Sequence, residues 1–178
     1  DSDNPLQKIS ALVKTPKKDF HFEKLVFVKG TTDILCDKAN KEGKEIFICR
    51  NGELEFSCAP EFAGGIYSLK YRGEEWLDSS FPECKPKSWW NPWSGGISIN
   101  PNYMSNAQRL NEERQAEFVS MEDVLGNKWQ GIAVKSKIDK LERIAGLELT
   151  EYYLSMPGLP LIAVFAEIMN KTGHNNYF

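Results

Sequence analysis

The chain has few of the residues from which metal centres and the familiar hydrolytic sites are built. Its 178 residues include two histidines, His21 and His174, which lie far apart in the sequence. No HxH, HExxH or CxxC pattern is present to gather the ligands of a metal ion. The GxSxG motif of serine hydrolases is also missing, and no glycine-rich loop precedes a helix that would bind phosphate. We therefore expect no metal and no cofactor.

The chain also has little excess charge and no long hydrophobic run. The net charge is −3 and the calculated pI is about 5.5, so nothing in the sequence favours nucleic acid or acidic lipid as a partner. The longest apolar run, 159–166, contains Pro160 and ends before Glu167. A membrane-spanning helix needs about 20 apolar residues, so we expect no membrane segment.

Cysteine is scarce and shows no paired motif. The four cysteines are Cys36, Cys49, Cys58 and Cys84. The first three lie in apolar, strand-like segments, where a reduced thiol packs as a small hydrophobic group, and we expect reduced cysteines. Two disulfides in any of three pairings remain the alternative. The sequence leaves the compartment open, with the cytoplasm slightly favoured over secretion.

Most of the chain alternates between apolar and polar residues with period two, which predicts β-strands. Residues 1–20, rich in Lys, Asp and Pro, are predicted to form a flexible lead-in, and 21–178 a single domain. Asn51-Gly52 lies between two alternating runs and predicts a hairpin with a type I′ turn. About nine or ten short strands with turns between them predict an all-β, antiparallel β-sandwich with at most one short helix. The candidate for that helix is the polar segment 106–118, with an ordered loop as the alternative.

One short segment, SWWNPWSGGI at 88–97, contains three of the five tryptophans. Its Trp89, Trp90 and Trp93 provide flat apolar rings on which the C–H face of a sugar can stack, and Asn91 provides amide groups for hydroxyls. In the alternative interpretation, the indoles close one end of the sandwich core, with each N–H bonded to a carbonyl. The remaining tryptophans, Trp76 and Trp129, lie in predicted strands and are expected in the core.

Three further features of the sequence complete the predicted sugar site. The glycine pair Gly95 and Gly96 would allow a ligand to approach the backbone closely. Glu83 and Arg72 are the candidates for charged hydrogen bonds to the ligand.

The segment GGIYSLKYRGEEWL resembles the opening hairpin of galactose mutarotase-like domains, the β-supersandwich of aldose 1-epimerases and of many glycoside-processing enzymes. The matching features are Gly65, the strand 66–69, the turn residue Gly73 and the short strand 75–77. The WWNPWSGGI loop and the C-terminal LIAVFAEIMNKTGHNNYF are also similar to segments of that family. The resemblance covers about 45–178 and implies a carbohydrate context. A full supersandwich needs more strands than 178 residues supply. The resemblance therefore leaves two alternatives: the front half of a longer supersandwich protein, truncated at its C-terminus, or a smaller sandwich that never had the catalytic pair.

Three functions are compatible with these observations. The first is a carbohydrate-recognition domain, or a carbohydrate-enzyme-associated domain, that stacks sugar on the tryptophan loop. The second is a sugar epimerase, for which the resemblance implies His174 as the proton donor and for which Glu83 or Glu167 would be the base. The third is an interaction or assembly domain that packs the Trp/Pro loop against a further domain or subunit. The sequence predicts that this chain alone is non-catalytic.

Overall fold

The computed structural model describes residues 6–101 and 104–173, and its regular structure is mostly antiparallel β-sheet. The strands are β1 (Leu6–Lys14), β2 (Asp19–Phe27), β3 (Leu35–Lys41), β4 (Lys44–Arg50), β5 (Leu54–Cys58), β6 (Ile66–Tyr71), β7 (Glu74–Glu75), β8 (Lys85–Lys87), β9 (Trp90–Trp93), β10 (Arg114–Glu122), β11 (Lys128–Ile138), β12 (Leu147–Ser155) and β13 (Ile162–Asn170). One short helix, α1 (Asn106–Asn111), and one 3₁₀ turn (Glu142–Ile144) are present among these residues. The predicted all-β fold with at most one short helix is confirmed.

Two large sheets form the body of the protein. Strands β3 to β7 form a five-stranded sheet, and β10 to β13 form a four-stranded sheet. Within each sheet, every strand pairs with its neighbour in the sequence, so both sheets are simple antiparallel meanders. Two further hairpins, β1–β2 and β8–β9, are separate two-stranded sheets.

The main core lies between the two large sheets. Strand β12 shows how the sequence produces it, because Leu147, Leu149 and Tyr153 occupy alternate positions and are all buried. The facing residues come from both sheets: Phe47, Cys49, Phe56, Cys58, Ile66, Ile132, Val134 and Tyr153. This shared cluster makes the two sheets a sandwich-like pair of layers.

A second cluster covers the opposite face of the five-stranded sheet. Tyr67 stacks on Phe81 with ring centroids 4.2 Å apart, and Phe62 packs edge-on against both rings. Because the loop that contains Phe81 leads into β8 and β9, this aromatic packing fixes the start of the tryptophan segment to the sheet.

The predicted hairpin at Asn51-Gly52 is confirmed, but its turn differs from the prediction. Strands β4 and β5 pair up to Arg50 and Glu55, and of the two turn residues only Gly52 has a positive φ, of 98°. Asn51 is buried, and its Oδ1 accepts hydrogen bonds from the amides of Glu53 and Leu54. Its Nδ2 donates to Ser155 Oγ at 2.6 Å. The asparagine therefore joins the two sheets instead of adopting the left-handed conformation of a type I′ turn.

The described part of 1–20, the segment predicted as a flexible lead-in, contains a β-strand. β1 pairs with β2 along its whole length, from Leu6 opposite Phe27 to Lys14 opposite Asp19. Pro16 lies in the turn between β1 and β2, and Lys8 and Lys14 lie on β1 itself. The apolar residues Ile9 and Val13 lie on one face of the same strand.

The expectation of reduced cysteines is wrong for two of the four. Cys36 on β3 and Cys49 on β4 are directly opposite each other and form a disulfide. Cys58 and Cys84 are free thiols, the former fully buried. A structural disulfide is typical of an oxidising compartment, which is the opposite of the preference from the sequence.

The two strand tryptophans also differ from the prediction. Trp76 is 68% exposed and packs edge-on against Tyr71 on the surface, because the β6–β7 hairpin extends to the rim of its sheet. Trp129 is half-buried, and its Nε1 donates to the carboxylate of Asp123 at 3.1 Å.

Candidate functional site

The tryptophan segment forms the β8–β9 hairpin and then runs closely along the five-stranded sheet. Gly95 and Gly96 have φ values of 71° and 76°. A Cβ atom at Gly95 would collide with the carbonyl oxygen of Asp78, and one at Gly96 with that of Ile66. The predicted role of the glycine pair is therefore corrected, because the close approach that it permits is to the protein's own backbone.

The residues after the glycine pair connect both large sheets. Ile97 and Ile66 exchange two backbone hydrogen bonds of 2.9 Å on the five-stranded sheet. Two residues later, the amide of Ile99 donates to Glu151 Oε1 on the four-stranded sheet at 2.6 Å. The tryptophan segment is therefore held at a fixed position where the two sheets meet.

Helix α1 lies against β9 on the other side of this region. Ser105 caps the helix, since its Oγ accepts from the amide of Gln108 and the Gln108 side chain accepts from the amide of Ser105. The helix directs Arg109 inward, where the side chain is nearly buried.

A cleft of about 300 Å³ opens between β9 and α1. We call it the tryptophan cleft. Its lining residues are Trp90, Trp93, Ser94, Gly95, Gly96, Ser98, Asn106, Arg109 and Leu110. Its volume is at the lower end of the range of about 300–1,000 Å³ found for ligand pockets, so it suits one small ring or the end of a longer ligand.

The indoles of the segment are accessible and are not sealed in the core. Trp89 is 80% exposed and Trp90 46% exposed, with ring centroids 4.7 Å apart. Trp93 is half-buried, and Lys87 Nζ lies 4.1 Å from the centre of its ring. Trp90 and Trp93 both line the cleft.

A buried ion pair forms the floor of the cleft. Arg109 Nη2 bonds both carboxylate oxygens of Glu151, at 3.1 and 3.3 Å. The Glu151 side chain is completely buried, and this burial raises its pKa even though Arg109 and the amide of Ile99 act in the other direction. The pair connects α1 to the centre of the four-stranded sheet.

Other polar groups surround this ion pair. Arg114 Nη1 donates to the carbonyl oxygen of Arg109 at 2.6 Å, and burial together with the charge of Arg109 lowers the pKa of Arg114 to about 10. The hydroxyl of Tyr153 is buried close to Glu151 and has no well-aligned hydrogen-bond partner within the described ranges. Burial, followed by the charge of Glu151, raises the pKa of Tyr153.

The structure brings together only some of the predicted site residues. Trp90 and Trp93 line the cleft, whereas Trp89 and Asn91 are exposed beside it. Glu83 is exposed in the loop before β8, outside the lining. His174 lies outside the described residues.

The structure places Arg72 away from the cleft. It lies at the β6–β7 turn, where its Nε donates to Glu53 at 2.8 Å, and it lines a different surface depression of about 400 Å³.

The sequence analysis missed Arg109 and Glu151. A signal for Glu151 was present, because it occupies an inward position of β12, in step with the buried Leu147, Leu149 and Tyr153. A carboxylate at a core position needs a charged or hydrogen-bonding partner, so the alternation predicts such a partner. No comparable signal identifies Arg109, since its partner is 42 residues away along the chain.

A larger cavity of about 600 Å³ lies beside the end of α1 and along β11 and β12. Its walls are polar, and several of its charged groups already engage neighbours: Lys137 pairs with Asp139, and Lys140 Nζ donates to the carbonyl of Asn111. It has no aromatic side chain in its lining. The smaller tryptophan cleft is therefore the better candidate for an organic ligand.

Two other kinds of site were sought in residues 6–101 and 104–173. No cluster of three or more His, Cys, Asp or Glu side chains there is arranged to hold a metal ion. Among the same residues, no helix has the length and apolar character to cross a membrane.

The chain matches no protein-family model, no curated protein and no solved structure.

Proposed function

We propose that this chain is a carbohydrate-binding β-sandwich domain and that the tryptophan cleft is its binding site. The observation that supports the proposal is the cleft itself, in which Trp90 and Trp93 present ring surface beside the amide of Asn106 and the hydroxyl of Ser98. Apolar rings stack on the C–H face of a pyranose, while the polar groups bond its hydroxyls. The resemblance of the sequence to galactose mutarotase-like domains points in the same direction.

The proposal is a binding role, with no catalytic step assigned. Among the described residues, the cleft lining contains no carboxylate to act as a general base. Glu167, the other candidate base from the sequence, accepts a hydrogen bond from the Tyr152 hydroxyl at 2.8 Å on the exposed face of β13. Glu83 is outside the lining as well.

Tryptophan substitutions test the binding site directly. We expect Trp90→Ala and Trp93→Ala each to weaken the binding of a recognised oligosaccharide by about fivefold or more, because stacked aromatic contacts contribute about 1–3 kcal/mol. The measurement is isothermal titration calorimetry against a panel of neutral and acidic oligosaccharides, with tryptophan fluorescence as a second readout.

Trp76→Ala is the matched control for these variants. Its indole is 68% exposed, more than that of Trp90 or Trp93, and lies just after the β6–β7 hairpin, outside the cleft. This variant should bind like the parent. Equal weakening by Trp76→Ala, or no weakening by either cleft variant, would show that the tryptophan cleft is not the binding site.

An assembly role is the second candidate. The observation that favours it is the exposed apolar surface of the β1–β2 hairpin, on which Ile9, Phe22 and Leu25 are each more than half exposed. Light scattering over a range of concentrations tests this role, and a constant monomer mass would count against self-assembly.

A further inference from the structure

The tryptophan cleft has one charged side chain among its described lining residues, and that charge is positive. The other lining residues are two tryptophans, two glycines, two serines, Asn106 and Leu110. No Asp or Glu is present among them to accept hydrogen bonds from sugar hydroxyls. The lining of the tryptophan cleft therefore favours a ligand that carries hydrogen-bond acceptors or a negative charge.

Arg109 is only partly used by its ion pair with Glu151. Both bonds of that pair come from Nη2. Within the described part of the chain, Nε and Nη1 of Arg109 make no hydrogen bond. These two atoms are not fully buried, because the fully buried side-chain polar atom without a partner there is the Tyr153 hydroxyl. The side chain of Arg109 is 9% exposed and lines the cleft, so the N–H groups that Glu151 does not use are the ones available to a ligand there.

Glu151 holds the guanidinium in place without occupying the cleft. Its side chain is completely buried and also accepts from the amide of Ile99, so it reaches Arg109 only from the protein side. With Nη2 bonded to Glu151, the guanidinium keeps its Nε–H and Nη1–H groups at fixed positions, from which they can donate to a ligand carboxylate. Fixing the side chain in advance also lowers the entropic cost of ligand binding.

We propose that the ligand of the cleft is an acidic saccharide, a pyranose whose carboxylate bonds Arg109 while its ring stacks on Trp90 or Trp93. This inference rests on the proposed carbohydrate-binding function and names the substrate class of the same site. The two tryptophans supply the contact with the ring, and Arg109 supplies the selectivity for uronic acids over neutral sugars.

The test compares two ligands that differ in the charge of the carboxyl group and in its methyl ester. Oligogalacturonic acid and its fully methyl-esterified form are titrated into the intact chain by calorimetry. We expect the acid to bind at least tenfold more tightly than the ester. Equal affinity, or preference for the ester, overturns the assignment of an acidic ligand but leaves carbohydrate binding in place. If neither these ligands nor neutral oligosaccharides bind, the proposed function itself fails.

Arg109→Lys tests whether Arg109 is the source of the preference. The lysine keeps the positive charge that neutralises Glu151 but lacks the Nε and Nη1 donors, so we expect the preference for the acid to fall to about twofold or less. Circular dichroism checks that the variant is folded. An unchanged preference in the folded variant overturns the role of Arg109.

Arg72→Ala is the matched control for Arg109→Lys. It removes an exposed arginine that pairs with Glu53 away from the cleft. This variant should keep the full preference for the acid. A loss of preference in Arg72→Ala equal to that in Arg109→Lys would show a general charge effect and overturn the inference.

Discussion

At the scale of single residues, the buried charge of Glu151 determines how the cleft is built. Its carboxylate joins α1, through Arg109, to the segment that follows the tryptophans, through Ile99. Removing one partner from a buried ion pair is costly because the other charge is left without compensation. The same carboxylate should therefore connect the stability of the protein to pH.

Arg109→Ala should lower the free energy of unfolding by about 3–5 kcal/mol at neutral pH. The loss should shrink as the pH falls towards 4.5, the ordinary pKa of a glutamate. Burial raises the pKa of Glu151 in the folded chain, so the folded state binds the proton more strongly than the unfolded state does. Protonation of Glu151 therefore stabilises the folded state, and this stabilisation is lost as the pH rises. Urea unfolding between pH 4.5 and 8 measures the dependence.

Lys135→Ala provides the comparison for this variant. It breaks an ion pair with Glu117 whose side chains are both about half exposed, at 53% and 52%. Such a pair contributes about 0–1 kcal/mol, so the variant should follow the pH dependence of the parent. If the penalty of Arg109→Ala were the same at every pH, Glu151 would not be the group responsible.

Single residues also show where prediction from the sequence ends. Trp129 and Trp76 occupy similar strand patterns, yet one is half-buried and the other is 68% exposed. The difference arises because β7 is only two residues long and forms the edge of its sheet, which the local sequence does not encode. Arg109 was beyond prediction for a similar reason, since only the fold brings it to Glu151.

At the scale of elements, most strands of the two large sheets were predictable from the sequence, whereas β10 was not. Alternation located β4, β5, β6, β11, β12 and β13, because a half-buried strand needs period two. The segment 106–118 was left open between helix and loop, and it divides into α1 and the start of β10. The strand there depends on pairing with β11 and not on its own polar sequence.

The edge strand β3 is held by the disulfide more than by burial. Six of its seven residues are exposed, and only Cys36 is half-buried. The bridge to Cys49 spans 13 residues. Closing a loop of this length in the unfolded chain stabilises the folded state by about 3 kcal/mol on the chain-entropy estimate.

Cys36→Ala should therefore lower the free energy of unfolding by about 2–4 kcal/mol. The reason is that the unfolded chain regains the conformational freedom that the bridge removed. Guanidinium unfolding measures the loss, and reduction of the parent with dithiothreitol should reproduce it. Cys84→Ala, which removes a free and half-buried thiol, serves as the control and should cost less. A parent whose stability does not change on reduction contradicts this account.

At the scale of the whole molecule, the body and the N-terminal hairpin differ in how they are stabilised. The body shares one core between two sheets. In contrast, all nine residues of β1 are exposed, and on β2 only Val26 is half-buried. An isolated two-stranded hairpin is at best marginally stable in water. The body should therefore fold without the hairpin.

The whole molecule also explains why the site was only half predicted. The sequence placed Trp90 and Trp93 in one loop, and the cleft contains both. The opposite wall comes from α1, and its charged floor is held by β12. Local patterns do not show that these elements meet, because the approach depends on how the two sheets stack.

A chain that begins at Lys29 should retain the stability of the intact protein to within about 1 kcal/mol. The truncation removes apolar side chains that bury little surface, while it keeps the bond from the Gly30 amide to the Pro157 carbonyl at 2.9 Å. Guanidinium unfolding measures the stability. The dye 8-anilinonaphthalene-1-sulfonate should bind less to the truncated chain, because the exposed side chains of Ile9, Phe22 and Leu25 are gone. A loss of several kcal/mol would show that the hairpin covers part of the body, and unchanged dye binding would show that these apolar side chains are already covered in the intact protein.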